Sequence, residues 1–251
     1  MSTAATQPEL SIVVPALNEQ DNVGPLVEQV DQTVRARGVQ VELIVVDDGS
    51  TDATRATLGG LQADRPWLVV LHRDTPQGQS SAMHAGIQYA RSPYIATLDA
   101  DLQNDPADLV DMLAALKTQN ADFVQGDRSA NRQDNIIRRA TSFIGRQARA
   151  WIVGDSTRDT GCSARVVKAS FAKQFPLQFK GAHRFLPAYA RILGATLIEM
   201  PVHHHPRVAG ETKYGLGISK RGWSGLLDCF AFRWMKSRYR PSTTIAELIH
   251  E

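Results

Sequence analysis

The stretch VELIVVDDGSTDATRATLGGLQADRPWLVVLHRD, residues 41–74, reads as a strand, a helix and a second strand. Val41 to Val46 is a near-continuous apolar, β-branched run, Asp52 to Leu61 has helical character, and Trp67 to Leu71 is again strand-like. Strands that are apolar on both faces and alternate with helices belong to a parallel sheet covered on each side, with right-handed crossovers.

The same alternation extends both ways along the chain. Upstream, Leu10 to Val14 is a strand ending at Pro15, and Val23, Leu26, Val30 and Val34 recur at helical spacing, with Asn18 as N-cap and Asp21 in capping-box position. Downstream come a helix from Ser80 to Ala90, a strand from Tyr94 to Leu98, a helix capped by Asp105 with Pro106 in its first turn, and a strand from Asp122 to Gln125. Beyond Gln133 the regularity falls. A helix is expected through Phe143, a Gly-containing turn over Asp159 to Ala164, and a strand from Thr196 to Met200. The expected fold is a doubly wound α/β domain with a mostly parallel sheet, residues 1–212, followed by a basic, aromatic helical extension and polar tail, residues 213–251.

Bulk properties narrow the function. At 251 residues, with 43% hydrophobic and 22% charged residues, the chain has the composition of a globular protein with a substantial core. A net charge of +2 is too small to point to nucleic acid. Cys162 and Cys229 are the only cysteines, so neither a disulfide framework nor a cysteine-rich zinc site is legible and a reducing cytoplasm is the expected setting. The N-terminal segment lacks the pattern of a signal peptide, and no apolar run reaches the length of a membrane span.

In doubly wound folds ligands collect beyond the carboxyl ends of the strands. Acidic residues stand there: Glu19 after the first strand, Asp47 and Asp48 at the end of the second, Asp99 and Asp101 at the end of the fourth. Carboxylates gathered on one edge repel one another unless a cation or hydrogen-bond donors compensate them. In LDADLQNDP, alternation places Asp99, Asp101 and Gln103 on one side of an extended segment, a hard-oxygen set suited to Mg²⁺ or Mn²⁺. Such ions complete their shell with water and substrate phosphates, which a nucleotide diphosphate would supply. A single Asp-x-Asp is more often a solvated turn, and the set of strand-end acids carries the reading. No Walker A sequence is present and no GxGxxG follows the first strand.

VVPALNEQDN (Val13 to Asn22), VVDDGSTDAT (Val45 to Thr54), RDTPQGQSSAMHAG (Arg73 to Gly86) and LDADLQNDP (Leu98 to Pro106) resemble, in order and spacing, family 2 inverting glycosyltransferases of the GT-A fold. DTGCSARVVKA (Asp159 to Ala169), GAHRFLPAYA (Gly181 to Ala190) and HHHPRVAGETKYG (His203 to Gly215) are similar to the subgroup that loads sugars onto polyprenyl phosphates. The resemblance implies that Pro15, Leu17 and Glu19 line a nucleoside pocket and that Asp48 binds base or ribose. It implies that Asp99 helps hold the nucleotide and that Asp101 and Gln103 bind the metal. Arg128, Arg207 and Lys213 match basic positions that approach donor or acceptor phosphates, against the plain reading of solvated surface cations. Asp159 matches an acceptor-side carboxylate or, equally, the cap of the Gly161 turn. An acceptor phosphate is already anionic near neutral pH and needs little general-base help, unlike a hydroxyl.

His203 and His205 share a face of an extended segment, but no third ligand at zinc-like spacing accompanies them, so a structural or acceptor-pocket role is expected. His84 reads as a packed or capping histidine.

From Lys213 to Arg240 seven Lys and Arg residues face a single acid, Asp228, and Trp223, Leu226, Leu227, Phe230, Phe232, Trp234 and Tyr239 are interleaved with them. That composition suits an interfacial helix on an anionic membrane surface, or a helix packed on its own domain or on a partner copy in a homo-oligomer. Relatives of this kind continue into transmembrane helices, whereas here Pro241 and a polar tail follow. Peripheral attachment at the inner face of the cell membrane is therefore expected. The competing functions are transfer to a saccharide, lipid or protein hydroxyl, and an inactive sugar-nucleotide-binding subunit.

Overall fold

The computed structural model describes residues 7–129, 147, 149–206 and 218–241. The expected helix through Phe143, together with Arg207 and Lys213, lies outside the described residues.

Seven strands form one sheet in the order β3-β2-β1-β4-β6-β5-β7. They are β1 (Leu10–Ala16), β2 (Val41–Asp47), β3 (Leu68–His72), β4 (Tyr94–Thr97), β5 (Phe123–Asp127), β6 (Arg165–Lys168) and β7 (Leu197–Pro201). β3, β2, β1 and β4 are parallel, as are β5 and β7; β6 runs antiparallel between β4 and β5. The helices are α1 (Val23–Thr33), α2 (Thr54–Ala63), α3 (Gln79–Tyr89), α4 (Asp108–Thr118), α5 (Ala169–Ala172), α6 (Leu186–Ile192) and α7 (Ile218–Arg238).

Strand pleat explains why β1 and β2 are apolar throughout. Ile12, Val14, Leu43 and Val45 pack with α1 and α4 on one face; Val13, Ile44 and Val46 pack with α3 on the other. α3 lies close because Gly86 has no side chain: a Cβ there would stand 2.5 Å from Val13 Cγ1. The second face continues into α6 and α7, where Phe232 stacks on Phe185 with ring centroids 5.2 Å apart and meets Tyr189 edge-on at 4.9 Å.

Three sequence expectations change. Asn18 does not cap α1, which starts at Val23 with Asn22 in the cap position; Asn18 instead has φ +52° and its side chain accepts from Thr51 N–H at 2.8 Å. Asp105 caps the turn that precedes α4 by accepting from Ala107 N–H at 2.8 Å, and the helix begins at Asp108. β6 was not expected, because its four residues, Arg165 to Lys168, are charged at both ends and show no period.

Candidate active site

Chain order reverses about the sheet between β1 and β4, and the crevice at their carboxyl ends is where such a fold receives ligands. The loop after β1 and the loop after β2 are tied together there. Asn18 N–H donates to Ser50 Oγ at 2.9 Å, Thr51 N–H to Asn18 Oδ1, and Glu19 N–H to Thr54 Oγ1 at 2.8 Å. Pro15, Leu17 and Glu19 are half-buried along this seam, and Glu19 also accepts from Asn22 Nδ2 at 2.7 Å.

The two aspartates that close β2 diverge. Asp47, fully buried, accepts from Ser50 N–H and from Arg55 Nε, so it braces its own loop. Asp48 accepts from Gly78 N–H at 2.7 Å, Gln77 N–H at 3.1 Å and Arg73 at 3.1 Å. These bonds draw residues 75–78 down over the end of β2, where Gly49 at φ +81° makes room for them.

Asp99 and Asp101 follow β4. Leu102, buried with φ +60°, holds the unusual left-handed conformation that turns the chain between Asp101 and Gln103, so the segment is a turn and not the extended run on which alternation would put Asp99, Asp101 and Gln103 on one side. Gln103 N–H donates to Asp101 Oδ1 at 3.3 Å. Asp99 accepts from Gln79 Nε2 at 2.8 Å, and its own N–H donates to Ser163 Oγ at 3.1 Å. Burial, and then the charge of Asp101, hold the Asp99 carboxyl above the ordinary range; the Ser163 hydrogen bond and the guanidinium groups of Arg165 and Arg128 pull it the other way.

Among the described residues no three His, Cys, Asp or Glu side chains are grouped to enclose a metal. The donors present are two neighbouring carboxylates in mutual repulsion and one amide. They fit a hard divalent cation that takes the rest of its shell from water and phosphate.

Arg128 and Asp159 are joined to each other. Arg128 Nε and Nη2 donate to Asp159 Oδ2 and Oδ1 at 2.7 and 3.0 Å, and Asp159 Oδ1 also accepts from Gly161 N–H at 3.2 Å. Burial works against the Arg128 charge, but the hydrogen bonds and charge of Asp159 raise its pKa above the usual arginine value. Asp159 thus both caps the Gly161 turn and neutralises Arg128.

The histidine run is pinned to the loop after β4. His203 donates its N–H to Asp108 Oδ2 and pairs its ring with Asp108 Oδ1, both at 2.7 Å; His205 donates its N–H to Gln103 O at 2.8 Å. His84 contacts Gln178, at 3.1 Å between Nε2 atoms.

Four residues to which the sequence reading gave no role belong to this region: Gln79, Ser163, Arg165 and His183. Ser163 Oγ accepts from both Asp99 N–H and Asn104 Nδ2, the latter at 2.7 Å, and thereby fixes the turn after β4. Gln79, Ser163 and Arg165 lie within tracts whose family likeness was legible, and only folding shows that they converge on Asp99. Behind Asp99 a cavity of about 310 Å³ opens toward α7, with Arg165 and His183 among its walls.

Comparison with known proteins gives the family and the fold. Residues 11–176 match the model of glycosyl transferase family 2. A dodecaprenyl-phosphate galacturonate synthase of Rhizobium johnstonii is 40% identical over 236 residues, which cover 92% of this chain and 69% of that protein. An undecaprenyl-phosphate 4-deoxy-4-formamido-L-arabinose transferase of Edwardsiella ictaluri is 35% identical over 220 residues, covering 86% of this chain and 66% of that one. The chain thus spans about two thirds of the length of both relatives. Among solved structures, a mannosyltransferase of Pyrobaculum calidifontis in complex with GDP-Man and Mn²⁺ superposes with a TM-score of 0.67 at 17% identity, covering 94% of this chain and 67% of that one. The glucosyl-3-phosphoglycerate synthase of Mycobacterium tuberculosis in complex with Mn²⁺, UDP-glucose and phosphoglyceric acid gives 0.65 at 16% identity, with 90% and 79% covered. Motifs, fold and relatives converge, and the chain belongs to glycosyl transferase family 2, as a glycosyltransferase of the GT-A fold.

Proposed function

We propose that the protein transfers a sugar, with inversion, from a nucleotide diphosphate sugar to a polyprenyl phosphate, assisted by Mg²⁺ or Mn²⁺. The two curated relatives are named for transfer to dodecaprenyl and undecaprenyl phosphate, which supports the acceptor class. The observation that carries the reading is the turn Asp99–Asp101–Gln103 at the sheet's carboxyl edge, beside the loops closed by Asp48.

In this reading Pro15, Leu17 and Glu19 line the nucleoside, and Asp48 shapes its pocket by holding residues 75–78. Asp101 and Gln103 would hold the cation, which when bound would supply Lewis-acid stabilisation of charge on the departing diphosphate. Asp99 contacts the sugar nucleotide, oriented by Gln79 and Ser163. Arg128, steadied by Asp159, with Arg207 and Lys213, offsets the repulsion between two anionic reactants. The acceptor phosphate attacks in its ionised form, so Asp159 serves by positioning Arg128 and no strong base is required.

The acceptor's lipid chain calls for a membrane surface. Among the described residues no helix is long and apolar enough to cross a membrane. We assign the membrane contact to the extension 213–251, where Leu227, Phe230 and Trp234 of α7 are exposed along one stripe. Trp151, 79% exposed, stands on the segment whose carbonyls at Ile152 and Val153 accept from Arg233 and Lys236. In this reading the enzyme sits peripherally at the cytoplasmic face of the membrane.

The test incubates purified protein with a panel of nucleotide sugars, Mg²⁺ or Mn²⁺, and either a short polyprenyl phosphate or a hydroxyl acceptor. Nucleoside diphosphate release with glycolipid formation on the phosphate alone is expected, and Asp101→Ala lowers kcat at least about a hundredfold, the scale of a lost charge-stabilising group. Full activity of that variant, or turnover only with the hydroxyl acceptor, refutes the assignment.

A further inference from the structure

Arg165 is a buried cation with no carboxylate in ion-pair contact among the described residues. It sits on β6, an interior strand, opposite Thr97 of β4 and Gln125 of β5, and is 3% exposed. Its Nε donates to Gln125 Oε1 at 2.9 Å and its Nη2 to Thr160 O at 3.1 Å, both neutral acceptors. Among the described residues no acidic oxygen lies within ion-pair distance of it. A buried guanidinium left with neutral partners is costly, and an interior retains one where an anion compensates it for part of its working cycle.

The cavity of about 310 Å³ behind Asp99 is where such an anion would enter. Arg165 lines it together with Arg149, Arg184 and His183. Arg149 is held in place by Nη2 donation to Arg184 O at 2.8 Å and by stacking over the Phe185 ring at 4.9 Å. Arg184 is exposed at the rim. Two carboxylates also line the cavity, Asp99 and Asp228, and Asp99 already accepts from Gln79. The His183 ring is fixed by Ser80 Oγ, 2.6 Å from Nδ1. Arg149 is also paired with Asp155, Nη2 to Oδ2 at 3.9 Å, so the guanidinium groups that line the cavity with no carboxylate in ion-pair contact among the described residues are those of Arg165 and Arg184.

We infer that this cavity is an oxyanion site, floored by Arg165 and rimmed by Arg184, that receives an acidic group carried by one of the two substrates. It rests on the donor-site reading given above, since Asp99 is the shared wall. Two groups have the required chemistry: a carboxylate at C6 of the transferred sugar, and the phosphate of the acceptor. A guanidinium binds either through paired N–H donors.

The test uses the full chain as wild type, Arg184→Gln and Arg165→Lys, with circular dichroism to verify folding; Arg184→Gln, at the exposed rim, keeps the test alive should the buried substitution misfold. Donors are compared in pairs that differ only at C6, UDP-glucose with UDP-glucuronate and GDP-mannose with GDP-mannuronate, and a short polyprenyl phosphate is the acceptor. At least tenfold tighter binding of the C6 acid, collapsing to within about threefold in the folded variants, assigns the site to the sugar carboxylate. Equal binding of the paired donors, with KM for the polyprenyl phosphate raised at least tenfold in the variants, assigns it to the acceptor phosphate. Folded variants that match wild type in both respects overturn the inference. Failure of the donor-site reading looks different, because wild type would then bind no nucleotide sugar. Inorganic phosphate titrated into wild type and Arg184→Gln then decides the anion site alone, and equal heats from the two proteins overturn it.

Discussion

Asp159 and Arg128 meet through two parallel hydrogen bonds, 2.7 and 3.0 Å long, with both side chains largely out of water. A fork of this kind spends most of the acidic group's lone pairs on one cation, and Gly161 N–H takes a further share. Removing either partner takes the fork away from a largely buried charge, at a cost of about 3 kcal/mol. Asp159→Ala and Arg128→Ala are each expected to lower unfolding free energy by that amount in denaturant titrations. The double variant should lose clearly less than the two losses added together. Additive losses would show that the pair does not act as a unit.

Gly49 allows the loop of residues 75–78 to close. A Cβ there would lie 2.8 Å from Thr75 C and Pro76 N, on a backbone at φ +81°. Gly49→Ala is expected to cost about 1–3 kcal/mol of stability through left-handed strain and backbone contact. Because Asp48 holds this loop, the donor KM should rise about tenfold with kcat changed much less. Wild-type KM in a folded Gly49→Ala protein would separate the loop from the donor pocket.

The two faces of α7 should respond differently to truncation. Phe232, 2% exposed between Phe185 and Tyr189, belongs to the core, and Phe232→Ala should cost about 3–5 kcal/mol. Phe230 and Trp234 are 51% and 62% exposed, so Phe230→Ser with Trp234→Ser should leave the melting temperature nearly unchanged. The same double variant should lose most of its co-sedimentation with anionic vesicles at low salt, while wild type binds and is released as salt rises. Sedimentation equal to wild type would remove α7 from the membrane contact.

His183 gives the pH dependence a defined sign. Burial, with the charges of Arg165 and Arg184, pushes its pKa from 6.5 down to about 4. As pH falls below 6.5 the unfolded chain binds the proton before the folded one does, so the contribution to stability is present above 6.5 and is lost progressively toward pH 4. The melting temperature should fall between pH 7 and pH 5, less steeply in His183→Gln. In NMR the His183 ring should not titrate between pH 8 and pH 5, and a midpoint near 6.5 would contradict its burial.

Much of the fold is legible in the chain. Val41 to Val46 and Leu10 to Val14 are apolar on both faces, and only a strand covered on both sides needs that. The acids at strand ends were legible for the same reason, since parallel strands bring their carboxyl ends to one edge. β6 escaped because four residues carry no period of their own and gain their conformation from Tyr94–Thr97 on one side and Phe123–Gln125 on the other.

Sequence alone thus determined the doubly wound sheet, the family, and the identity of the tract that carries Asp99, Asp101 and Gln103, though not its turn, because local period and motif spacing are properties of neighbouring residues. Tertiary structure alone decided the partnerships: that Asp159 holds Arg128, that Asp48 holds residues 77 and 78, and that Arg165 lies buried beside a cavity with no carboxylate in ion-pair contact among the described residues. Those pairings join positions 29 to 31 residues apart, or leave one position unmatched. Charge neutralisation and burial are settled by distances in space, which strand order and crossovers create and short motifs do not encode.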